Sequence, residues 1–508
     1  MITVEITAAV DAAGTLTTLY FADGRLITEA SDTPANTAFD ETLLDPGSIA
    51  TTAFGDGRTG GGTRLAIGEI KIANLDGAYD AWLGYGFDGR RAIIRQGTPG
   101  AAYPSGFTTL FTGTVEALTV NRGEVIIRLR DKQRVLDQPV LTSQYGGTNV
   151  LPAGIDGTAN DLAGKPKPRL FGKVLNISPP GVNTSKLVYQ ISAGQIASVE
   201  AVYDRGAALT FGANYATSGA LLAAATGAGA YDTCLAEGLI RLGSSPSGAV
   251  TVDATQGAAA TDRTAATMLL TLALAAGVSA GDISGADVAN LAADAPAVLG
   301  VWVSGAGETY AKVMDAISAS VGAFYAFDPT GVLRMGRLVA PAGTPVLELE
   351  EYDALNIERR PARDGDLPAW AYTVRHSRVW TVQASDIATA VTAARRAVIG
   401  TEYRDQRAEN AAVRLQFLLA AEESVDTLLT STTDAANEAS RRQALHGVRR
   451  NFFDVVVPAE TLTGSAPKLT AVIKLTNARF GLSAGRSFLL LGTRLELARN
   501  RATLTLWG

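Results

Sequence analysis

The residues best suited to catalysis in this chain are two histidines and one cysteine, and none of them stands in a catalytic motif. His376 lies inside a predicted strand, and His446 follows a predicted helix. A Ser–His–Asp or Cys–His mechanism needs a histidine held beside its nucleophile by a third group, and no such pattern surrounds either histidine. We therefore interpret both as polar surface or capping residues. Cys234 is the only cysteine, which excludes an internal disulfide and a multi-cysteine metal site.

Other patterns that could carry chemistry are also incomplete. Residues 243–248, Gly-Ser-Ser-Pro-Ser-Gly, resemble a serine nucleophile elbow only in composition, and their proline and glycines favour a turn. The glycine-rich run at 55–62 is not followed by a helical pattern, so it lacks the helix N-terminus of a phosphate site and is interpreted as a loop. There is no His-Glu-x-x-His zinc motif and no Gly-Lys-Ser/Thr phosphate loop. The sequence predicts no catalytic residues, no cofactor and no metal.

Acidic residues close together in the sequence are the remaining candidates for acid–base chemistry. Glu348 and Glu350 alternate along a predicted strand and share one face, with Trp370 and Trp380 further along the chain. A glycosidase needs two carboxylates that flank a sugar site, whereas neighbouring acids of this kind are more typical of a solvated face. We therefore expect a protein that is not an enzyme.

The charge balance argues against a protein that grips nucleic acid by its phosphates. Lys and Arg number 44 and Asp and Glu number 50, a net charge of −6. DNA-binding chains usually carry a basic surplus or a dense basic stripe. Arg359-Arg360 and Arg449-Arg450 are isolated pairs and are interpreted as solvated faces.

No segment predicts membrane insertion or export. Residues 1–6 indicate a strand and lack the basic start and apolar core of a signal peptide. The longest apolar run, 265–278, is shorter than a membrane span and holds two threonines. We interpret it as a buried helix and expect folding in a cytoplasm.

Step by step along the chain, the pattern predicts a mainly β protein with α+β insertions. Short alternating strands cut by Gly, Asp and Asn turns indicate an antiparallel barrel or sandwich at both ends of the chain, and 65–72 is predicted as a single strand. Helical periodicity predicts helices over 261–276, 284–293 (with Ser284 as N-cap), 309–321, 387–393 and 432–444. The predicted domains are a first β-barrel (1–135), an extended arm or linker (136–185), a β-rich domain (186–255), a small α+β domain (256–345) and a second β-barrel with a helical insertion (346–508).

The two predicted barrels share a short pattern of residues. In each, a Gly-Thr pair is followed by an Asn-Arg pair, and the Gly-to-Asn step is eight residues in both. We interpret the pattern as the turn of a duplicated hairpin, although hairpins with Asn turns are common enough for chance to produce it. The residues are Gly113, Thr114, Asn121 and Arg122 in the first copy and Gly492, Thr493, Asn500 and Arg501 in the second.

Four groups of short sequence segments, in consistent order over nearly the whole chain, carry a resemblance to a known family. They are 70–77 with 85–91, 164–168 with 172–174, 239–242 with 248–257, and the closing segments at 372–375, 380–382, 445–450, 478–482 and 504–508. In these the chain resembles the baseplate hub, or tail-tip hub, proteins of long-tailed (siphovirus-like) phages and gene transfer agents. Many relatives have Asn before the tryptophan that corresponds to Trp380, where this chain has Val379. None of the segments is a catalytic signature.

The resemblance implies a structural function and a set of partners. In hubs of this type, two tube-docking barrels per chain surround a threefold axis, so that a homotrimer presents six similar surfaces to a hexameric tail tube. The expected partners are the tail tube protein, the distal tail protein, the tape measure protein and tip or central fibre proteins, with viral DNA only in transit. The expected location is the virion tail tip, assembled in the host cytoplasm. The alternatives are a distal tail ring (adaptor) protein, a tail-tip cell-wall hydrolase and a carbohydrate-binding receptor protein.

Overall fold

The structure, a computed structural model, describes residues 1–54, 64–360, 367–465 and 467–508. As the sequence predicts, the fold is mainly β with helical insertions. The strands of the first part are β1 (Ile2–Ala9), β2 (Leu16–Ala22), β3 (Leu26–Ile27), β4 (Ala38–Phe39), β5 (Leu43–Asp45), β6 (Ser48–Thr52), β7 (Arg64–Ile67), β8 (Ile70–Ala73), β9 (Arg91–Gly97), β10 (Phe107–Val120) and β11 (Glu124–Arg130). The strands of the middle part are β12 (Arg169–Ile177), β13 (Gly181–Asn183), β14 (Val188–Gln190), β15 (Ser198–Asp204), β16 (Ala207–Ala208), β17 (Thr210–Asn214), β18 (Ala230–Cys234), β19 (Leu239–Leu242), β20 (Val250–Thr255), β21 (Gly300–Val303), β22 (Ala323–Phe327) and β23 (Leu333–Arg337).

The last part contains the remaining strands and half of the helices. Its strands are β24 (Leu347–Leu349), β25 (Asn356–Arg359), β26 (Ala369–His376), β27 (Arg404–Glu409), β28 (Ala421–Asp426), β29 (Phe452–Pro458), β30 (Val472–Asn477), β31 (Leu482–Glu496) and β32 (Arg501–Trp507). The α-helices of the described residues are α1 (Ser218–Ala223), α2 (Ala265–Ala275), α3 (Gly285–Asp294), α4 (Tyr310–Val321), α5 (Ala393–Ile399), α6 (Ala411–Gln416), α7 (Thr432–His446) and α8 (Ala459–Ser465).

The first sheet is built around five antiparallel strands in the order β5-β8-β11-β10-β9, which we call the first five-strand unit. The hairpin β1–β2 extends this sheet beyond β9. Phe21 of β2 also forms a parallel bridge with Asp40, which leads into β5. Backbone hydrogen bonds therefore run from the last strand of this sheet back to the segment that begins it.

The last sheet repeats this arrangement. Its strands β25-β29-β32-β31-β30, the second five-strand unit, are again antiparallel. In both units the sheet begins with the two strands that come first in the chain and continues with the other three in reverse chain order, as in β5-β8-β11-β10-β9. The segment 347–359 carries β24, which pairs in parallel with β30, as well as β25, which pairs with β29. One segment thus reaches both ends of the sheet. The two units differ in what closes them, which is the hairpin β1–β2 in one and β24 in the other.

A hairpin from the first part of the chain joins the two units. β6 and β7 lie in sequence between β5 and β8, but β6 pairs antiparallel with β31 of the second unit. The apolar interior accordingly forms one cluster that spans both sheets and includes Ile94 and Phe111 from the first unit and Phe453 and Phe488 from the second. Continuous packing of this kind binds the two ends of the chain together.

The middle of the chain forms two further sheets and a helical layer. β12 is central, because it pairs with β20 on one side and with β21 on the other. Helices α2, α3 and α4 pack together and against the hairpin β22–β23, while α7 packs on β26 and β27. The buried residues of α2 lie on one side of the helix, whereas Thr271, Leu274 and Ala275 on the other side are exposed, so the prediction of a helix buried on most faces is wrong.

A buried carboxylate holds α7 to the end of α4. Glu438 accepts hydrogen bonds from Arg441 (Nη2 to Oε1, 2.8 Å) and Arg442 (Nε to Oε1, 2.6 Å), and also pairs with Arg337 at the end of β23. Arg442 in turn donates to the carbonyl oxygen of Ala319 (2.6 Å), in the last turn of α4. Positive charge near the C-terminus of a helix is favourable, so this cluster locks the helical layer.

The structure departs from the sequence predictions at three further places. The predicted strand 65–72 breaks at Gly68, whose N–H donates to the carbonyl oxygen of Ser48 (2.6 Å), and β7 and β8 join different sheets. The predicted arm at 136–185 is irregular only as far as 168, because residues 169–177 form β12. The helix predicted at 387–393 begins at Ala393 instead, where the side chain of Thr392 caps it.

The other helices agree closely with their sequence patterns. The side chain of Ser284 accepts a hydrogen bond from the N–H of Asp287, which makes it the N-cap of α3 as predicted. The helices predicted at 309–321 and 432–444 are α4 and α7.

Candidate functional site

Neither histidine lies on the surface, contrary to the sequence interpretation. The side chain of His376 is 1% exposed, because β26 lies between two other strands and under α7. Its Nδ1 lies 2.8 Å from the Oγ of Ser377, and its Nε2 has no hydrogen-bond partner in the part of the chain that the structure describes. Burial, together with the charge of Arg404, lowers the pKa of His376. A neutral imidazole enclosed in this way has no access to a substrate.

His446 and Cys234 are equally unsuited to catalysis. His446 is the last residue of α7, is 7% exposed and stacks on Tyr372 with ring centroids 5.9 Å apart. Cys234 is fully buried, and burial raises the pKa of its thiol. A raised pKa keeps a thiol protonated and inert. Among the described residues, no group of three or more His, Cys, Asp or Glu side chains could hold a metal ion.

Glu348, one of the acidic candidates, forms an ordinary surface ion pair. Glu348 is exposed and pairs with Lys474 (2.8 Å). Trp370 and Trp380 offer no open aromatic platform, since arginines cover them: the guanidinium of Arg414 lies 4.8 Å from the ring centroid of Trp370, and that of Arg378 lies 4.3 Å from the ring centroid of Trp380. A sugar ring could not stack on either face that an arginine occupies. The turn predicted at 243–248 connects β19 to β20.

The two arginine pairs are not isolated, which corrects their interpretation as separate solvated faces. Residues 359–360 and 449–450 line one small concavity, together with Asn451. The pairing of β25 with β29, in which Arg359 lies opposite Phe453, brings them together. None of the described residues that line this concavity is acidic. Arginines in such an arrangement can hold a carboxylate or a phosphate.

Part of this positive charge already has partners. Arg360 forms a two-pronged ion pair with Asp454, with Nη2 and Oδ1 2.8 Å apart. Arg359 donates twice to the Oδ1 of Asn451 (3.0 and 2.8 Å). Burial and the charge of Arg486 lower the pKa of Arg450. The basic concavity is therefore largely part of the wall of the second five-strand unit.

A second buried polar cluster connects the middle sheet to the segment before β27. Asp253 accepts from the backbone N–H of Asn176 (2.7 Å) and from the hydroxyl of Tyr203 (2.8 Å). Burial raises the pKa of Asp253, and the guanidinium of Arg395 lies 3.8 Å from the ring centroid of Tyr203. These contacts hold two segments together.

The residues of the proposed sequence repeat lie on corresponding hairpins, but at different places in them. Gly113 pairs with Ala92 of β9, whereas Gly492 pairs with Thr505 of β32. Thr114 and Thr493 are the next residues after these glycines, in β10 and β31. Asn121 begins the β10–β11 turn, where its N–H donates to the carbonyl oxygen of Glu124 (2.9 Å).

The second copy of the turn is built differently. Asn500 ends the β31–β32 turn in a left-handed conformation (φ 51°), and its amide donates to Glu460 (2.8 Å). Arg122 lies inside the first turn, whereas Arg501 is the first residue of β32. The strand order therefore repeats between the two units, while the residues of the Gly-Thr and Asn-Arg pairs do not occupy equivalent positions in them.

The longest strand of each unit changes its neighbour part-way along. β31 pairs with β30 as far as Leu489 and with β32 from Leu489 onwards. Beyond the change, Gly492–Glu496 also pair with β6 on the other side. The N–H of Ala53, just past β6, donates to the carbonyl oxygen of Leu491 (2.7 Å). Both edges of β31 are thus occupied in this half.

The end of β6 is also held by apolar packing. Ala53 and Phe54 are buried in a cluster with Leu489, Leu491 and Trp507 of the second unit. The ring of Phe54 also packs edge-on against Phe324, with centroids 5.4 Å apart. The contact between the units therefore combines a strand edge with an apolar anchor.

β10 changes its neighbour in the same way but keeps one free edge. Thr114 is paired with both β9 and β11, and from there to Val120 only β11 is a strand partner within the described ranges. Because the N–H of Asn121 bonds to Glu124, alternation along the ladder turns the N–H and C=O groups of Val120 and Leu118 away from β11. Neither residue has a backbone partner on that side in the part of the chain that the structure describes.

An apolar tip projects from the insertion in the second unit. Between β27 and β28, the loop containing α6 exposes Leu415 (82%), Leu418 (87%) and Leu419 (79%). Val413 and Phe417 of the same loop pack underneath against Trp370, which fixes its shape. Clustered apolar side chains of this kind, exposed on a folded support, are typical of interaction surfaces.

No helix in the described ranges has the length and apolar character needed to cross a membrane. No protein-family model matches the chain. No curated protein matches it either.

Solved structures of three tail or virion proteins show a partial likeness. The tail protein from Neisseria meningitidis MC58 is 10% identical, with a TM-score of 0.43, and the match covers 93% of each chain. The 43 kDa tail protein of prophage MuSo2 from Shewanella oneidensis is 10% identical, with a TM-score of 0.41, over 99% of this chain and 97% of that chain. A chain of the virion of a native gene transfer agent particle is 13% identical, with a TM-score of 0.43, over 68% of this chain and 85% of that chain.

Proposed function

We propose that this chain is a structural hub of a phage-type tail tip, in which three copies surround an axial channel. The observation that carries the proposal is the repetition of one strand order, β5-β8-β11-β10-β9 and β25-β29-β32-β31-β30, within a single polypeptide. Each unit is the wall of one barrel, the first within 1–135 and the second within 346–508. Three chains with two such barrels form a ring of six similar surfaces, which matches a six-sided tail tube.

The partners of the hub follow from this geometry. One face of the ring meets the tail tube, the distal tail protein and the tape measure protein, and the other meets tip or central fibre proteins. Viral DNA passes through the channel without being held, which suits a chain with a net charge of −6. The place of action is the virion, after assembly in the host cytoplasm, and the chain carries out no turnover. The buried histidines and buried cysteine support this last part of the proposal.

Two units per chain also argue against the alternative of a distal tail ring protein. A ring of six chains needs only one tube-docking barrel in each chain, so a second barrel would have no tube subunit to meet. The hydrolase alternative would require an accessible acid–base pair placed to flank a substrate, and a peptidoglycan zymogram with the purified chain tests it.

The mass and symmetry of the purified full-length chain test the proposal. A trimer has a mass of about 158 kDa, three times the 52.7 kDa of one chain. Native mass spectrometry should give this value, and negative-stain electron microscopy should show threefold particles with a central hole. A stable monomer, or a ring of six chains, would refute the hub.

A further inference from the structure

The long strands β10 and β31 occupy corresponding positions in the two units, but within one chain only β31 has its second edge covered by another strand. The free half of β31 is covered by β6, which comes from the interval between β5 and β8 of the first unit. Among the described residues, nothing pairs with the corresponding half of β10 at Leu118 and Val120. A ring of alternating units would cover every such edge in the same way.

β6 and β7 lie in the segment between the first two strands of the first unit. The segment between the first two strands of the second unit is therefore the candidate to cover β10. In the first unit the interval between β5 and β8 is 46–69, and in the second unit the interval between β25 and β29 is 360–451. The second interval carries α5–α7 and the three-stranded sheet β27-β26-β28, with the apolar tip of Leu415, Leu418 and Leu419. No strand of this insertion pairs with β10 of its own chain within the described ranges.

One exposed leucine lies at the same end of the first unit as the free edge of β10. Leu75 is 87% exposed, and it follows Asn74, which is fastened to the β10–β11 turn. The N–H of Asn74 donates to the carbonyl oxygen of Gly123 (3.0 Å), and its amide donates to the carbonyl oxygen of Asn121 (3.2 Å). An open strand edge and an uncovered leucine therefore lie at the same end of the first unit. This is the same combination that β31 and its apolar neighbours offer to β6 and Phe54.

We infer that the part of the insertion at 367–451 of one copy docks on the first five-strand unit of the next copy, along the free edge of β10 and at the end of the unit where Leu75 lies. This inference rests on the proposed trimer and gives its interface. Within a chain, the insertion of the first unit covers the second unit. Between chains, the insertion of the second unit covers the first unit of the neighbour, with the tip at 415–419 as the apolar anchor. The contact is head-to-tail, and three copies close it into a ring.

Replacing the exposed leucines tests the docking without disturbing the fold. The triple variant Leu415→Ser, Leu418→Ser, Leu419→Ser changes only side chains that are largely in water in the single chain, so its circular dichroism spectrum should match the wild type. If the three leucines become buried between copies, their loss should weaken trimer assembly by about 100-fold or more. Val150→Ser is the matched control, because Val150 is 81% exposed and lies outside both surfaces. Mass photometry over a dilution series measures both variants.

Hydrogen exchange provides a second readout that needs no substitution. In the assembled trimer, the outward-facing amides within 115–121, those of Leu118 and Val120, should exchange at least about tenfold more slowly than in the dissociated chain, because an edge N–H that gains a strand partner is protected. β17 (Thr210–Asn214) is the internal control, since all its residues are exposed and it lies at the edge of its sheet.

The outcomes separate the inference from the proposed function. A wild-type chain that never trimerises refutes the hub itself. A wild-type trimer that the triple variant forms equally well, with no protection at 115–121, refutes the docking and leaves the hub standing. Flotation of the intact wild-type trimer with lipid vesicles, lost in the triple variant, would also overturn the inference, because the tip would then face a membrane.

Discussion

The buried carboxylate of Glu438 should dominate the acid stability of the helical layer. Glu438 is 3% exposed and is surrounded by Arg337, Arg441 and Arg442. Burial raises its pKa, but the hydrogen bond from Arg441 and the charges of all three arginines outweigh burial, and the pKa falls to about 2. The carboxylate is therefore ionised in the folded protein at every ordinary pH.

The magnitude follows from the two states of the chain. An unfolded glutamate has a pKa of 4.5, so the fall to about 2 in the folded state is worth about 3 kcal/mol of stability. Because the folded pKa is the lower one, this stability is fully present above pH 4.5 and is lost as the pH falls from there towards 2. Glu438→Gln removes the charge but keeps the shape, and it removes the carboxylate that Arg337, Arg441 and Arg442 share. We expect a loss of about 3–5 kcal/mol at pH 7.

The assay compares urea unfolding of Glu438→Gln with that of wild type between pH 3 and pH 7, followed by circular dichroism at the helical band. Glu422→Gln is the matched control, because Glu422 is 54% exposed and pairs with Arg407 on the surface, and its loss should cost less than about 1 kcal/mol. The gap between Glu438→Gln and wild type should narrow as the pH falls below 4.5. A gap no larger than that of the control, or one that does not change with pH, would refute this account of the cluster.

Three further predictions concern packing and protonation. Burial and Arg404 lower the pKa of His376, so the unfolded chain binds a proton more readily; the Tm of wild type should fall as the pH drops below about 6.5, and the Tm of His376→Asn should vary less over pH 5–7. Phe54→Ala should cost about 3–5 kcal/mol in urea unfolding because it removes the anchor of the hairpin β6–β7, whereas Phe211→Ala, at a residue 53% exposed, should cost under about 1 kcal/mol. A Cβ on Gly300 would lie 1.6 Å from the carbonyl oxygen of Lys173, so Gly300→Ala should separate β21 from β12 and sharply lower the soluble yield and Tm, while Gly281→Ala, with open space around it, should leave both unchanged.

The strands at the two ends of the chain could be predicted because local alternation determines them. Residues 124–130 alternate between the core and the outside in the structure as they do in the sequence. β12 was missed because its pattern is interrupted, with Gly172 (φ 72°) and Asn176 (φ 56°) in left-handed conformations. The strand is held by its neighbours β20 and β21, which lie far away in the sequence.

The surfaces could not be predicted, because they depend on long-range register. The arginine pairs at 359–360 and 449–450 are about 90 residues apart in sequence, and only the pairing of β25 with β29 brings them together. The burial of His376 likewise depends on α7, whose packing on β26 no local pattern indicates. Local composition predicts which residues are polar but not which polar residues will meet.

The two units keep their strand order but differ in the insertions between their first and second strands, and this difference has a physical consequence. A core needs only apolar side chains of suitable volume, so Ile94 and Phe111 in one unit and Phe453 and Phe488 in the other fill comparable space without sequence similarity. The insertions face outward and are free to differ, with a hairpin at 46–69 and a helical subdomain at 360–451. If both insertions were alike, a chain could not distinguish its own second unit from the first unit of a neighbour. Unequal insertions favour one pairing and exclude the other, so the asymmetry itself can direct three chains into a closed ring.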